Sequence, residues 1–137
     1  METGVVSKIT EFFGVEKKDA KQYAPLTLAY IGDAVYEMVV RTILVEQNDT
    51  QVNKLHKKAS SLVKAGAQCE LFHKIEADLS EEEMAVFKRG RNAKSHTVAK
   101  NADVGDYRIA TGVEALIGYL YLSERYDRIL ELMKGLL

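Results

Sequence analysis

The sequence predicts an all-α fold. Apolar residues recur at three- and four-residue intervals along nearly the whole chain, and no run alternates as a half-buried strand does. A single proline and the absence of tryptophan fit a helix-rich protein. Val6, Ile9 and Phe13 define a short first helix that ends near Gly14. Pro25 suits the first turn of a second helix, expected to run to about Glu46, after which Gln47-Asn48-Asp49-Thr50 reads as a turn. Val52, Leu55, Ala59, Leu62/Val63 and Gly66 mark one apolar stripe, continued by Leu71/Phe72 and Ile75. Ser80 with Glu83 three residues later is a capping box that opens the next helix, and Gly90 is a natural terminator. Residues 91–105 have weak periodicity, and a loop of that length within a compact domain suggests function. A further helix is expected from Asp106 to Ser123, and the last places Tyr126, Ile129/Leu130, Met133 and Leu136/Leu137 on one face. Residues 1–137 are expected to form one domain.

Composition narrows the class. Apolar residues make up 47% and charged residues 28% of the 137, which is a globular rather than a disordered balance. The lone cysteine, Cys69, cannot make an internal disulfide and reads as a small buried hydrophobe in a reducing compartment. The N-terminal METGVVSKITEFFGVEKKD has no basic stretch followed by an apolar core, so no export signal is expected. The most apolar run carries Asp33 and Glu37 and is too short and polar to span a membrane. The expected location is the cytoplasm.

Two helical stretches are apolar almost all the way round, and each carries a carboxylate near its middle. In Ala24–Val40 the central charge is Asp33, with Glu37 as the only other; in Ile109–Ser123 the sole charge is Glu114. Helices apolar on every face are normally buried. An unpaired carboxylate there needs a cation, a hydrogen-bond network or a proton. The acids could pair with arginines such as Arg41 or Arg108, or simply be exposed. Alternatively, Asp33 and Glu114 meet around a hard divalent cation, with water completing its shell. Gly32 beside Asp33, and Gly112 and Gly118 flanking Glu114, suit either close helix crossings or the approach of a ligand.

Net charge is −1, yet charge is unevenly spread. From Lys88 to Asn101 there are five Lys/Arg, one His and no acid, while Glu81-Glu82-Glu83 concentrates acid elsewhere. An acidic metal site beside a positive surface is what phosphodiester hydrolysis requires. Arg89, Arg91, Asn92 and Lys94 are the best phosphate-contact candidates, because arginine presents a donor fork and lysine a mobile charge. Lys57 and Lys58, in the second basic cluster Lys54-Leu-His-Lys-Lys58, are weaker ones. His56, His73 and His96 lack metal-ligand spacing, so zinc is not expected. No nucleophile–base motif, GxGxxG or P-loop is present. Tyr30, Tyr36, Tyr119 and Tyr121 lie in the apolar helices and read as core or subunit interface.

These residues carry a family resemblance. Leu28-Ala-Tyr-Ile-Gly-Asp-Ala-Val-Tyr36 resembles the signature helix of the ribonuclease III catalytic domain. Gly112-Val-Glu-Ala-Leu-Ile-Gly-Tyr-Leu-Tyr-Leu122 resembles its second acidic motif. Lys88-Arg-Gly-Arg-Asn-Ala-Lys-Ser95, followed by Lys100-Asn-Ala-Asp-Val104 and Tyr107-Arg108, is similar to the short subfamily called Mini-ribonuclease III. The resemblance covers about residues 22 to 125. It implies a helical homodimer that cuts double-stranded RNA with Mg2+, or Mn2+ in its place, leaving 5′-phosphates and 3′-hydroxyls. Asp33 and Glu114 match the family's metal-binding catalytic acids, and the segment 89–100 matches a loop that helps choose the duplex. The implied substrate is a large-subunit (23S-type) ribosomal RNA precursor, with a ribosomal protein or pre-ribosome as a candidate for presenting it.

Two departures from full-length ribonuclease III stand out. Its signature has a glutamate where this chain has Ala29, and its second motif has an aspartate where this chain has Thr111. The short subfamily shares both, so the metal shell is expected to rely more on water or on the Thr111 hydroxyl. No double-stranded-RNA-binding domain is expected after Leu137, so affinity must come from the catalytic dimer and depend strongly on salt. The two missing acids also support a rival reading, a non-catalytic RNA-binding or ribosome-assembly module on the same fold.

Overall fold

The computed structural model describes residues 4–47, 51–93 and 104–136. Among them it contains helices α1 Val5–Phe12, α2 Pro25–Gln47, α3 Val52–Val63, α4 Ala65–Ile75, α5 Glu81–Asn92, α6 Val104–Leu122 and α7 Tyr126–Met133. Short 3-10 turns occur at Ala20–Gln22, Glu76–Asp78 and Lys134–Leu136. The described residues include no strand, as the sequence led us to expect, and no helix long and apolar enough to cross a membrane.

Helix α6 is the axis of the molecule. Every residue from Ala110 to Leu120 except Glu114 is buried, and α2, α4 and α5 pack around it. Its all-round apolarity therefore does mean burial. Helix α2 departs from that expectation. Its inner face, Leu28, Val35, Tyr36, Val40 and Leu44, is buried, but Leu26, Tyr30, Met38 and Val45 are exposed on the outside. The helix is apolar all round because it carries a second apolar surface beyond the one used in the core.

Backbones approach closely where α2 crosses α6. A Cβ on Gly32 would overlap the Glu114 carbonyl, and one on Gly118 would overlap the Leu28 carbonyl. Gly112 faces the ring of Phe87, which stacks on Phe72 with centroids 3.9 Å apart. Gly90 does not stop α5. It lies buried in the last turn, where a Cβ would come within 2.6 Å of the Ala115 Cβ, and the helix continues to Asn92. All four glycines are thus packing positions, and two of them sit at the crossing beside the acids.

The stripe through residues 52–75 is split into two helices because Lys64 is extended (ψ 158°), and its first member, Val52, is exposed. Of the expected loop at 91–105, residues 91, 92, 104 and 105 belong to the ends of α5 and α6, and residues 94–103, including Lys94, lie outside the described residues. In α1 only Val6 is buried; Ile9 and Phe13 face outward. The helix is held at its start by the corner between α6 and α7. Val6 N–H donates to the Tyr126 hydroxyl (3.1 Å) and Ser7 N–H to Glu124 Oε1 (2.8 Å), while Lys17 Nζ bonds the other carboxylate oxygen (2.8 Å). Glu124 itself is left-handed (φ 59°).

The Ser80–Glu83 capping box forms as expected. Glu83 is also the buried half of an ion pair. Arg128 donates from Nε to its Oε2 (2.7 Å) and from Nη2 to its Oε1 (2.8 Å), and Nη2 also reaches the Asp78 carbonyl (2.8 Å). Removing one partner of a buried pair leaves an uncompensated charge. Arg128→Ala should therefore cost about 2–4 kcal/mol at neutral pH, read by urea unfolding. The Arg128 guanidinium holds the Glu83 carboxyl below the ordinary carboxylate range. That contribution is full above the ordinary range and disappears as pH falls through the lowered value, so the gap between variant and wild type should narrow in acid.

Candidate active site

The α2–α6 crossing determines what faces what. Asp33 follows the crossing glycine of α2, and Glu114 supplies the carbonyl that Gly32 abuts. The two side chains are brought close enough to interact by hydrogen bond and charge. Asp33 is exposed and Glu114 largely covered, so the buried reading holds for Glu114 and the exposed alternative for Asp33. Burial, then the neighbouring Asp33, push the Glu114 carboxyl up to about 8. Among the described residues neither acid is paired with a lysine or arginine; Arg41 bonds Glu37 instead (3.2 Å). Such a pair is short of positive charge, and its oxygens are the hard donors that a divalent cation prefers.

One neighbour was missed in the sequence. Gln68, 2% exposed on α4, donates from Nε2 to Glu114 Oε2 (3.4 Å) and to the Val63 carbonyl (2.9 Å). The only signal for it is an amide beside Cys69, Leu71 and Phe72 on an otherwise apolar face. Tyr36, one turn beyond Asp33, donates to the Leu62 carbonyl (3.3 Å). Its phenol is held protonated by burial and by the charge of Glu114.

The two positions that lack acids are filled and buried. Ala29 packs in the core, and the Thr111 hydroxyl donates to the Tyr107 carbonyl within α6 (3.0 Å). No group of three His, Cys, Asp or Glu residues able to hold a metal occurs among the described residues. Cys69 Sγ and His73 Nε2 lie 3.6 Å apart as helical neighbours, with the thiol buried.

The basic end of α5 is close by. Gly90, between Arg89 and Arg91, is pressed against Gly112 and Ala115 on the turn of α6 that carries Glu114. Arg89 and Asn92 are exposed; Arg91 lies over the Phe87 ring (5.9 Å) and its Nε donates to Asn92 Oδ1 (3.1 Å). Lys57 and Lys58 are exposed on α3 and make no described contact with the acids.

A fold of this kind, with these acids, can be set against known proteins. The Ribonuclease III domain model matches residues 26–125, which span both acids and the basic segment. Mini-ribonuclease 3 of Clostridium tetani is 57% identical over 126 residues, covering 90% of this chain and 83% of that one. The chain belongs to the ribonuclease III family, in its Mini-ribonuclease 3 branch. Mini-ribonuclease 3 of Enterococcus faecalis is 51% identical over 118 residues, covering 85% of this chain and 89% of its own length. The crystal structure of protein FN1578 from Fusobacterium nucleatum superposes with a TM-score of 0.80 at 31% identity, covering 88% of this chain and 98% of that one. The ribonuclease III family is one of RNA-cleaving nucleases that work with a divalent metal, and the Mini-ribonuclease 3 branch brings the chain into that class.

Proposed function

We propose that this protein is a divalent-cation-dependent endoribonuclease for double-stranded RNA, with Asp33 and Glu114 as the catalytic, metal-holding acids. The observation that carries this reading is the partly covered Glu114, facing Asp33 with no cationic side chain among the described residues to neutralise it. Mg2+ fits the hard oxygen donors, and Mn2+ can replace it. A cation held by Asp33 and Glu114 would supply charge stabilisation to the phosphate and would make a bound water more acidic; hydrolysis of this kind would leave a 5′-phosphate and a 3′-hydroxyl. Asp33, the more exposed acid, lies on the side open to substrate. Glu114 supplies the fixed, desolvated charge.

Arg89, Arg91 and Asn92, with Lys94 beyond them, grip the phosphates beside the scissile one, and Lys57 and Lys58 extend the positive surface. A-form duplex is read by shape and 2′-hydroxyls, which suits a helical surface with scattered cations. The exposed apolar face of α2, with Leu26, Tyr30, Met38 and Val45, supports a homodimer through this helix, each subunit offering one site to a shared groove. A large-subunit ribosomal RNA precursor as substrate, and its presentation by a ribosomal protein, rest on the subfamily resemblance.

The test is a denaturing gel of end-labelled duplex RNA with magnesium or with chelator, run on wild type and Glu114→Gln. Cleavage that needs both the metal and Glu114 supports the enzyme. RNA bound but never cut, with a ribosomal precursor as well as a generic duplex, makes the non-catalytic RNA-binding module the better account. A second expected result concerns the basic end of α5. Arg89→Ala should weaken duplex binding at low salt and reduce the slope of log K against log salt by about one. A filter-binding titration with an unchanged slope removes Arg89 from the phosphate contacts.

A further inference from the structure

We infer that Gln68 is a positioning residue that holds the Glu114 carboxylate in place for the cation. This rests on the reading of Asp33 and Glu114 as the metal-holding acids. Three observations support it. First, Gln68 is buried, and its Nε2 uses both protons, one on the Val63 carbonyl and one on Glu114 Oε2. Second, the opposite side of the amide is left unsatisfied: Gln68 Oε1 is buried and has no hydrogen-bond partner among the described residues. Turning the amide over would aim that oxygen at two acceptors, a carbonyl and a carboxylate, so the orientation is forced. A buried, unpartnered carbonyl is costly. An apolar side chain would fill this position without that cost, so filling space does not account for an amide here. Third, the positions where related enzymes carry further acids hold Ala29 and Thr111, and the Thr111 hydroxyl is committed to its own helix. The carboxylate of Glu114 thus lacks acidic neighbours within its own motif, and the donor that fixes it comes from another helix.

The anchor for that donor is the C-terminal end of α3. The carbonyls of a helix's last turn have no partner within the helix and carry partial negative charge. Here two of them are capped by side chains linked to the acid-bearing helices. Leu62 accepts from Tyr36, on α2 one turn past Asp33, and Val63 accepts from Gln68, which reaches Glu114 on α6. The break at Lys64 makes this possible, because it starts α4 afresh and places Gln68 in its first turns, facing back over the end of α3. With one oxygen of Glu114 held by the amide, the rest of the carboxylate is left to act with Asp33.

The test is Mn2+ binding to the RNA-free protein by titration calorimetry, together with kcat and KM on a duplex substrate. The proteins are wild type, Gln68→Met, Tyr36→Phe and Glu114→Gln. Met matches the length and volume of Gln but donates no hydrogen bond. Loss of an outer partner of a metal ligand typically costs about 10–100-fold. Gln68→Met should therefore bind Mn2+ at least about tenfold more weakly and lose a similar factor in kcat, with KM for the duplex within about threefold. Tyr36→Phe removes the other cap on α3 without touching the amide, and should stay within about threefold of wild type. Wild-type Mn2+ affinity and kcat in Gln68→Met would overturn the proposal and leave the acids' role standing. Equal losses in Gln68→Met and Tyr36→Phe would overturn it too, by showing that the end of α3 matters and the donor does not. Undiminished Mn2+ binding and cleavage in Glu114→Gln would instead remove the reading on which the proposal rests. Should Gln68→Met fail to fold, Gln68→Asn is read in the same way, since it keeps an amide too short to bridge both partners.

Discussion

Glu114→Gln is expected to abolish metal-dependent cleavage and yet make the metal-free protein more stable. The substitution keeps the shape and removes the charge. In the wild type, burial and Asp33 raise the Glu114 carboxyl from its ordinary value near 4.5 to about 8. Folding is thus unhindered below the ordinary value, where the group is protonated in both states. It becomes progressively costlier as pH rises toward the shifted value, because the proton must be held in the folded state or the charge left unsolvated. Glutamine has no such dependence. The variant should match wild type near pH 4 and exceed it by about 2–4 kcal/mol above pH 8, without metal. Magnesium should then raise the Tm of wild type and leave the variant unchanged, since a ligand stabilises only the state that binds it. Thermal melts at several pH values, with magnesium and with chelator, read all of this. Cleavage at the wild-type rate, or a variant less stable at every pH, would sink the assignment of Glu114.

Gly32→Ala has the largest expected effect on the fold. The new methyl would overlap the Glu114 carbonyl and come within 2.7 Å of its carbon and 2.8 Å of the Gly118 nitrogen. These are backbone atoms of a buried helix, and no side chain can swing aside to make room. Helices α2 and α6 would have to part along the most extensive helix–helix contact among the described residues. Overpacking of a core typically costs 1–3 kcal/mol, and a backbone clash should cost about 3–5 kcal/mol. Whatever remains folded would hold Asp33 and Glu114 farther apart, so cleavage should fall further than RNA binding. Gly66→Ala is the comparison, because its nearest neighbour would be Asp106 Oδ2 at 4.0 Å. Urea unfolding should show a near-neutral or slightly stabilising change there. Similar midpoints for the two variants would mean that the crossing tolerates separation.

The sequence made most of the helices legible, because period and punctuation are local properties. Pro25, the Ser80–Glu83 capping box and the apolar core of α6 each announced an element that is present. What it misjudged depended on surroundings. Gly90 carries the usual mark of a helix terminator, but its meaning comes from Ala115 and Gly112 on another helix. The outward face of α2 looks like core because an apolar side chain carries no mark of which side of its helix the fold will cover. Asp33 and Glu114 stood out because charge is rare in apolar helices, and the fold brings them together. Gln68 did not stand out, since a neutral amide is unremarkable until the donor it holds and the acceptor it wastes are both visible.

The attachment of α1 has a consequence for how the molecule comes apart. The continuous apolar cluster begins at Ala20, and Val6, the one buried residue of α1, lies outside it. What fastens the helix is a pair of hydrogen bonds from its backbone N–H groups to Tyr126 and Glu124, with one lysine contact to the same glutamate, all at a single corner. Detaching it exposes little apolar surface and disturbs neither the α2–α6 crossing nor the acids. The chain therefore has two levels of cooperativity. An outer segment can open and reclose on its own as a local fluctuation, while the inner unit, with Asp33 and Glu114 inside it, opens only when the whole fold does.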